Sequence, residues 1–333
     1  MGEMVPAGLA IRSVDTDPIQ FAEHARRAEE LGFGSIWVTE ELARSGFTVL
    51  ATASLKTHKI TLGTAIVSIY SRTPLTMALE YIAMNEASSG RFILGLGAGG
   101  PDITARGHGI EPAHPVERMA EYLRIIRRLL SGERFTYQGR FFKLSDIRIW
   151  ASPPSTVRIY VAALNPLMLR LAGALADGVI LNMFSPSLIG YIHENLRSGE
   201  ASRKVEICSF VPAAATSEEA SIEALKKAIG FYAATPTYRR MFRLMGFGQV
   251  PERVYQVLRE GGRERVAEVI PDQLVEATSI ICDRDDVGEK LERFREVGVT
   301  PLVYPQPRRE KRGEDIKRVM DAVAMSILNN GVI

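Results

Sequence analysis

One phrase recurs along this chain and constrains its fold more than any other feature. An amphipathic, helix-like run ends in glycine or Asp-Gly, and a short apolar strand follows at once. It reads Leu31-Gly32-Phe33-Gly34-Ser35-Ile36-Trp37-Val38, then Ser89-Gly90-Arg91-Phe92-Ile93-Leu94. It returns as Ala176-Asp177-Gly178-Val179-Ile180-Leu181 and as Val297-Gly298-Val299-Thr300-Pro301-Leu302-Val303-Tyr304. Glycine supplies the left-handed position that stops a helix, after which the chain turns into a buried strand. Helix-then-strand repeats build a parallel sheet. Strands are expected at 8–12, 35–39, 60–67, 92–96, 158–162, 179–182, 205–213 and 300–304, with helical patterns such as 18–31 and 115–131 between them. Eight strands favour closure over an open sheet, so the expected fold is α/β, a parallel (β/α)8 TIM barrel.

The 333 residues suit a single barrel domain over 1–333 with two interruptions of the rhythm. Residues 132–157 carry aromatics and prolines and read as a loop or small hairpin. Residues 231–283 are mostly helical and form an insertion before the last strand, with room for a short strand at 278–282. Tyr232, Tyr238, Met241, Phe242, Met245 and Phe247 give that insertion apolar surface, either to roof a site or to pack it onto the barrel. A final helix is expected at 313–328.

Composition excludes several functions. A net charge of +2 with short basic runs implies neither nucleic acid nor an anionic membrane, leaving small molecules as the expected partners. Only Cys208 and Cys282 are present, too few for a disulfide framework or a four-cysteine zinc site. The five histidines show no ligand spacing, so no metal site is expected. With no leader-like start at Met1 and no run of eighteen apolar residues, a soluble, cytoplasmic protein is expected.

In barrels the loops after the strands build the site. After strand two stand Thr39, Glu40 and Glu41; after strand three, Ala65 to Tyr70; after strand four, Gly97-Ala98-Gly99-Gly100-Pro101; after strand five, Ala162-Ala163-Leu164-Asn165-Pro166; after strand six, Asn182. Small residues let a flat or phosphorylated ligand approach the backbone, and a helix starting near Pro166 offers free amides to an anion. Close helix–strand packing is the competing account. Gly95-Leu96-Gly97-Ala98-Gly99-Gly100 also satisfies a dinucleotide fingerprint, but that motif must open a helix, and the next helical pattern is expected only near Pro115. Glu40 and Glu41 are the candidate catalytic residues. Being adjacent at a strand end, they point to opposite sides, and only one can face a ligand.

Read together, Gly63-Thr64-Ala65-Ile66-Val67 with Tyr70-Ser71-Arg72-Thr73-Pro74, and Ser89-Gly90-Arg91-Phe92 running to Gly100, resemble the luciferase-like flavin and deazaflavin oxidoreductases. Tyr160-Val161-Ala162-Ala163-Leu164-Asn165-Pro166, running on to Ala176-Asp177-Gly178, is similarly placed. The resemblance is greatest to the coenzyme F420-dependent branch that includes methylene-tetrahydromethanopterin reductase. It implies hydride transfer between C5 of bound F420 and a small organic substrate, and commonly a homodimer. It also implies a bulge with a non-prolyl cis peptide at Ala65-Ile66 behind the ring, with Thr64 beside it. Gly97, Ala98, Gly99 and the loop Ala162, Ala163, Leu164, Asn165 would hold the tail and its phosphate. Glu40 matches an acid that contacts the ring or its polar side chain, and Asn182 completes the cofactor-binding set. Three positions depart: Glu41 stands where several relatives have histidine, Asn165 where they have glycine, and Ala10 where the methanopterin reductase is acidic. Asparagine's tolerance of positive φ makes the Asn165 loop feasible. The alternatives are an FMN-dependent monooxygenase served by a separate flavin reductase, and a noncatalytic ligand-binding barrel.

Overall fold

Helix starts follow from the local sequence. Asp17 accepts a hydrogen bond from the Gln20 amide ahead of the helix Pro18–Glu30, and Thr73 accepts one from Thr76 ahead of Pro74–Ala87. In both, proline occupies the first turn, where its missing N–H is no loss. Gly32, Gly90 and Gly298 end helices with φ between 75° and 83°, as the recurring phrase requires. Gly178 departs from it. The helix Pro166–Leu175 leaves through extended backbone at Ala176, and Gly178 already lies in the next strand, where a Cβ would stand 2.7 Å from the Tyr160 ring. Close packing, not a left-handed turn, accounts for that glycine.

The computed structural model describes residues 7–197 and 204–329. Among them are eight barrel strands: β1 (Gly8–Arg12), β2 (Ser35–Thr39), β3 (Thr61–Thr64), β4 (Phe92–Gly97), β5 (Ile159–Ala162), β6 (Gly178–Leu181), β7 (Glu206–Ala214) and β8 (Val299–Pro305). Each pairs in parallel with the next, and β8 returns to β1, so the ring closes as a (β/α)8 barrel. Trp37, Tyr160, Phe210, Leu302 and Tyr304 help fill its interior, while a larger apolar cluster lies between strands and outer helices.

Three local differences bear on the site. The expected third strand, 60–67, is broken: β3 stops at Thr64, the Ala65–Ile66 peptide is cis, and Val67–Ser68 resumes by pairing with the end of β4. Pro101–Gly107 is a short helix with Gly100 as its N-cap, where the sequence suggested loop as far as Pro115. Proline at a first helical position was the available signal. The dinucleotide reading therefore fails on another ground, because its strand belongs to a closed barrel rather than an open doubly wound sheet.

The region 132–157 contains the antiparallel hairpin Phe135–Gln138 with Lys143–Ile147. The insertion before β8 has its own apolar cluster, including Leu225, Ile229, Phe242, Val254 and Leu274. Because Leu225 and Ile229 come from the helix Glu219–Ala233, the unit begins one helix earlier than residue 231. Its far end returns to the barrel through Ile280–Ile281, which pairs with Ala213 and Ala214 of β7.

Candidate active site

The two glutamates that follow β2 diverge, as adjacent residues at a strand end must. Glu40 is a brace. Its oxygens accept from Arg72 Nη1 at 2.6 Å and Nη2 at 2.9 Å, and from the Gly46 amide at 2.8 Å. Gly46 opens the helix Gly46–Ser54, whose N-cap Ser45 makes no side-chain capping bond, so Glu40 supplies the missing acceptor. Arg72 in turn lies over the Phe47 ring at 5.0 Å. Both oxygens of Glu40 thus hold the loop after β3 to the loop after β2, which makes it a poor candidate for acid–base work.

Glu41 has the other environment. It follows β2 at the C-terminal mouth of the barrel and is solvent-exposed, though neighbouring atoms crowd its carboxyl. Burial pushes its carboxyl above the ordinary value, opposed by the charge of Arg12 and a hydrogen bond from Thr39. Arg12 is the last residue of β1; its Nε donates to Asp15 at 2.5 Å, and Asp15 also receives Arg312 at 3.1 Å. A carboxyl whose folded pKa is raised favours the folded state at low pH and loses that contribution as pH rises through the folded pKa. Glu41→Gln is therefore expected to gain on the parent protein in stability across that rise and to run parallel to it below the ordinary carboxyl range. Urea midpoints measured from acid to neutral pH check this; a difference independent of pH would contradict it.

The bulge and the small-residue loops meet beside this mouth. Ala65 and Ile66 lie against the interior cluster, together with Ala10 and Tyr304. Thr64 is fully buried, and its hydroxyl both donates to Gly95 O at 3.0 Å and accepts from Gly95 N at 2.9 Å. That replaces sheet bonding where β3 ends and commits the Thr64 hydroxyl to β4. A Cβ on Gly97 would stand 2.7 Å from the Ile66 side chain, so Ile66 itself occupies that space. Gly99, at φ 70°, turns the chain past Ser68 into the Pro101 helix, with Ala98 half-buried. After β5, Ala163 bonds Ile180, Leu164 O accepts from Tyr191, and Ala162 is half-buried. Asn165 has φ −100°, so no tolerance of positive φ is called upon. Its side chain donates to Thr237 O at 3.1 Å instead of capping its own helix. The first-turn amides of Leu167 and Met168 therefore receive no side-chain cap from Asn165.

Asn182 is nearly buried, donating to Tyr238 Oη at 3.2 Å and accepting from Met183 N at 2.8 Å, so it ties the insertion to the end of β6. Tyr304, at the end of β8, stacks on Phe210 at 4.7 Å. Arg12, Tyr304 and Arg72 were not among the sequence-derived candidates. The strand-end rule reaches the first two when applied to strands one and eight. No group of three His, Cys, Asp or Glu side chains able to hold a metal occurs among the described residues.

A closed parallel barrel with a bulged third strand and a mouth built from strand ends defines a TIM-barrel enzyme scaffold. The model of the family described as luciferase-like monooxygenase matches residues 4–301, and the chain belongs to that family. It is 29% identical over 317 residues to a Mycobacterium tuberculosis protein whose name provisionally assigns it as a coenzyme F420-dependent oxidoreductase, covering 86% of this chain and 90% of that one. It is also 29% identical over 316 residues to the 5,10-methylenetetrahydromethanopterin reductase of Archaeoglobus fulgidus, covering 92% and 93%. Among solved structures, the coenzyme F420-dependent tetrahydromethanopterin reductase of Methanopyrus kandleri superposes with a TM-score of 0.82 at 25% identity, covering 96% of this chain and 98% of that one.

Proposed function

We propose that this chain, an oxidoreductase of the luciferase-like family, binds coenzyme F420 in the barrel mouth and uses it to exchange hydride with a small organic substrate. The observation that carries this reading is the pairing of a bulge at Ala65–Ile66 on the apolar interior with an uncapped helix start at Pro166. One suits the face of a tricyclic ring, the other an anionic tail. The F420-dependent relatives, matched over nearly their whole length, support the same choice.

The coenzyme, when bound, supplies the hydride chemistry. The chain's own residues orient and enclose. Ala65 and Ile66 would back the ring, the Ala98–Gly100 turn and the amides of Leu167 and Met168 would hold the tail, and Glu41, whose burial shifts it toward the protonated form, would stand at the mouth. Glu40 and Arg72 hold the loops that carry these groups.

An optical titration tests the cofactor. F420 is expected to bind with a saturable spectral change and FMN to give none; stoichiometric FMN binding without F420 binding would instead support the monooxygenase reading. Leu167→Asp isolates the tail seat. Leu167 is 63% exposed, so little packing is lost, and an acid in the first turn is itself favourable to the helix. F420 affinity is expected to fall roughly fivefold, about 1 kcal/mol, with the unfolding midpoint unchanged or raised. Unchanged F420 affinity would remove the helix start from the site.

A further inference from the structure

The insertion is fastened to two strand ends through one short turn. Asn165 donates to Thr237 O at 3.1 Å and Asn182 to Tyr238 Oη at 3.2 Å, which holds Pro236–Tyr238 against the loop after β5 and the end of β6. A glycine at 165 could not make the first of these bonds. The chain then runs straight into the helix Arg239–Leu244, whose first two residues are exposed arginines. The Arg240 guanidinium stands 5.8 Å from the centre of the Tyr191 ring, and Tyr191 donates to Leu164 O at 3.0 Å. One aromatic side chain thus links Arg240 to the loop that carries Ala162 to Asn165.

The charges around this turn are unmatched. Residues 224–251 contain Lys226, Lys227, Arg239, Arg240 and Arg243 and no Asp or Glu. The two lysines are paired, Lys226 with Asp272 and Lys227 with Glu223 and Glu264. Arg239, Arg240 and Arg243 make no ion pair among the described residues. The stretches 159–176 and 178–193, which hold the loops after β5 and β6, add Arg170 and no acid. Elsewhere exposed arginines have acids one turn away, as Arg26, Arg293 and Arg318 do. An uncompensated positive patch concentrates anions, and exposed cations attract each charge weakly and in a salt-dependent way. Such a patch discriminates by the number of anionic groups it meets, not by the fit of one.

We propose that Arg239 and Arg240 form the outer seat of the coenzyme's tail and select a tail bearing several carboxylates over one that carries few. This rests on the F420 reading above and adds the feature by which the tail is chosen. FMN, which ends at its phosphate, brings nothing to this seat. Asn165 and Tyr191 are positioning residues for the arginines, and the insertion is the element that carries them in.

Optical titrations with three deazaflavins test it: F420 with a long oligoglutamate tail, F420 with a single glutamate, and the tail-less chromophore FO. In dilute buffer the parent protein is expected to bind the long-tailed form roughly fivefold tighter than the single-glutamate form, with the preference shrinking as salt is added. The double variant Arg239→Gln/Arg240→Gln should lose the preference and bind FO as the parent does. Arg253→Gln/Arg259→Gln removes the same charge from exposed positions on the helix Val250–Arg259 and should keep it. Asn165→Ala leaves every charge in place but frees the turn, and should reduce the preference. Equal binding of the two tails by the parent, a preference that survives loss of Arg239 and Arg240, or its equal loss in the Arg253/Arg259 variant would overturn the proposal. FO or F420 binding without tail preference refutes this seat alone, whereas failure of all three deazaflavins to bind refutes the cofactor reading with it.

Discussion

A Gly95→Ala protein is expected to unfold with about 3 kcal/mol less free energy than its parent. The new Cβ would stand 1.9 Å from the Thr64 carbonyl oxygen and 2.9 Å from the Ile180 side chain. A side-chain tip could rotate away, but a backbone oxygen moves only with its strand. Separating β3 from β4 would also break both bonds between the Thr64 hydroxyl and Gly95. Overpacking of this kind costs roughly 1–3 kcal/mol before lost hydrogen bonds are added. Gly100→Ala is the matched control, because its nearest neighbour would lie 3.8 Å away, within ordinary contact. Urea denaturation with a common slope reads both. Equal midpoints for the two variants would refute the close approach of these strands.

Glu40→Ala is expected to destabilise by about 2 kcal/mol, since it leaves the Arg72 guanidinium and the Gly46 amide without their acceptor. The pair is largely shielded, with side-chain exposures of 16% for Arg72 and 14% for Glu40. A surface ion pair would be worth far less. A double-mutant cycle with Arg72→Ala distinguishes a true pair from two independent losses. The double variant should fall well short of the sum of the single effects, by roughly 1–2 kcal/mol of coupling. Additive losses would mean that Glu40 acts chiefly through the helix start at Gly46.

The barrel was legible because its punctuation is local. A helix stop followed by a buried strand needs only a dozen residues to declare itself, and Gly32, Gly90 and Gly298 behave as read. Where one residue type serves two purposes, local reading fails: Gly178 makes room for Tyr160, and Gly97 for Ile66. The bulge at Ala65–Ile66 came from family resemblance, since nothing in those two apolar side chains announces a cis peptide. Glu40 and Glu41 were found together, but their separation into brace and mouth residue depends on Arg72, thirty-two positions away in sequence. The tie between Asn182 and Tyr238 was out of reach for the same reason, as it joins the end of β6 to the insertion before β8.

Closure of the ring has a consequence for how this chain meets other molecules. Around the ring every barrel strand has a hydrogen-bonded neighbour on each side, so the ring itself presents no open edge on which another chain could continue the sheet. Strand-by-strand templating, the common route from a partly opened sheet to aggregates, has no starting point on the intact barrel. A second copy would have to be recognised by side chains on the outer helices and loops, where single substitutions can tune or abolish association without touching the sheet.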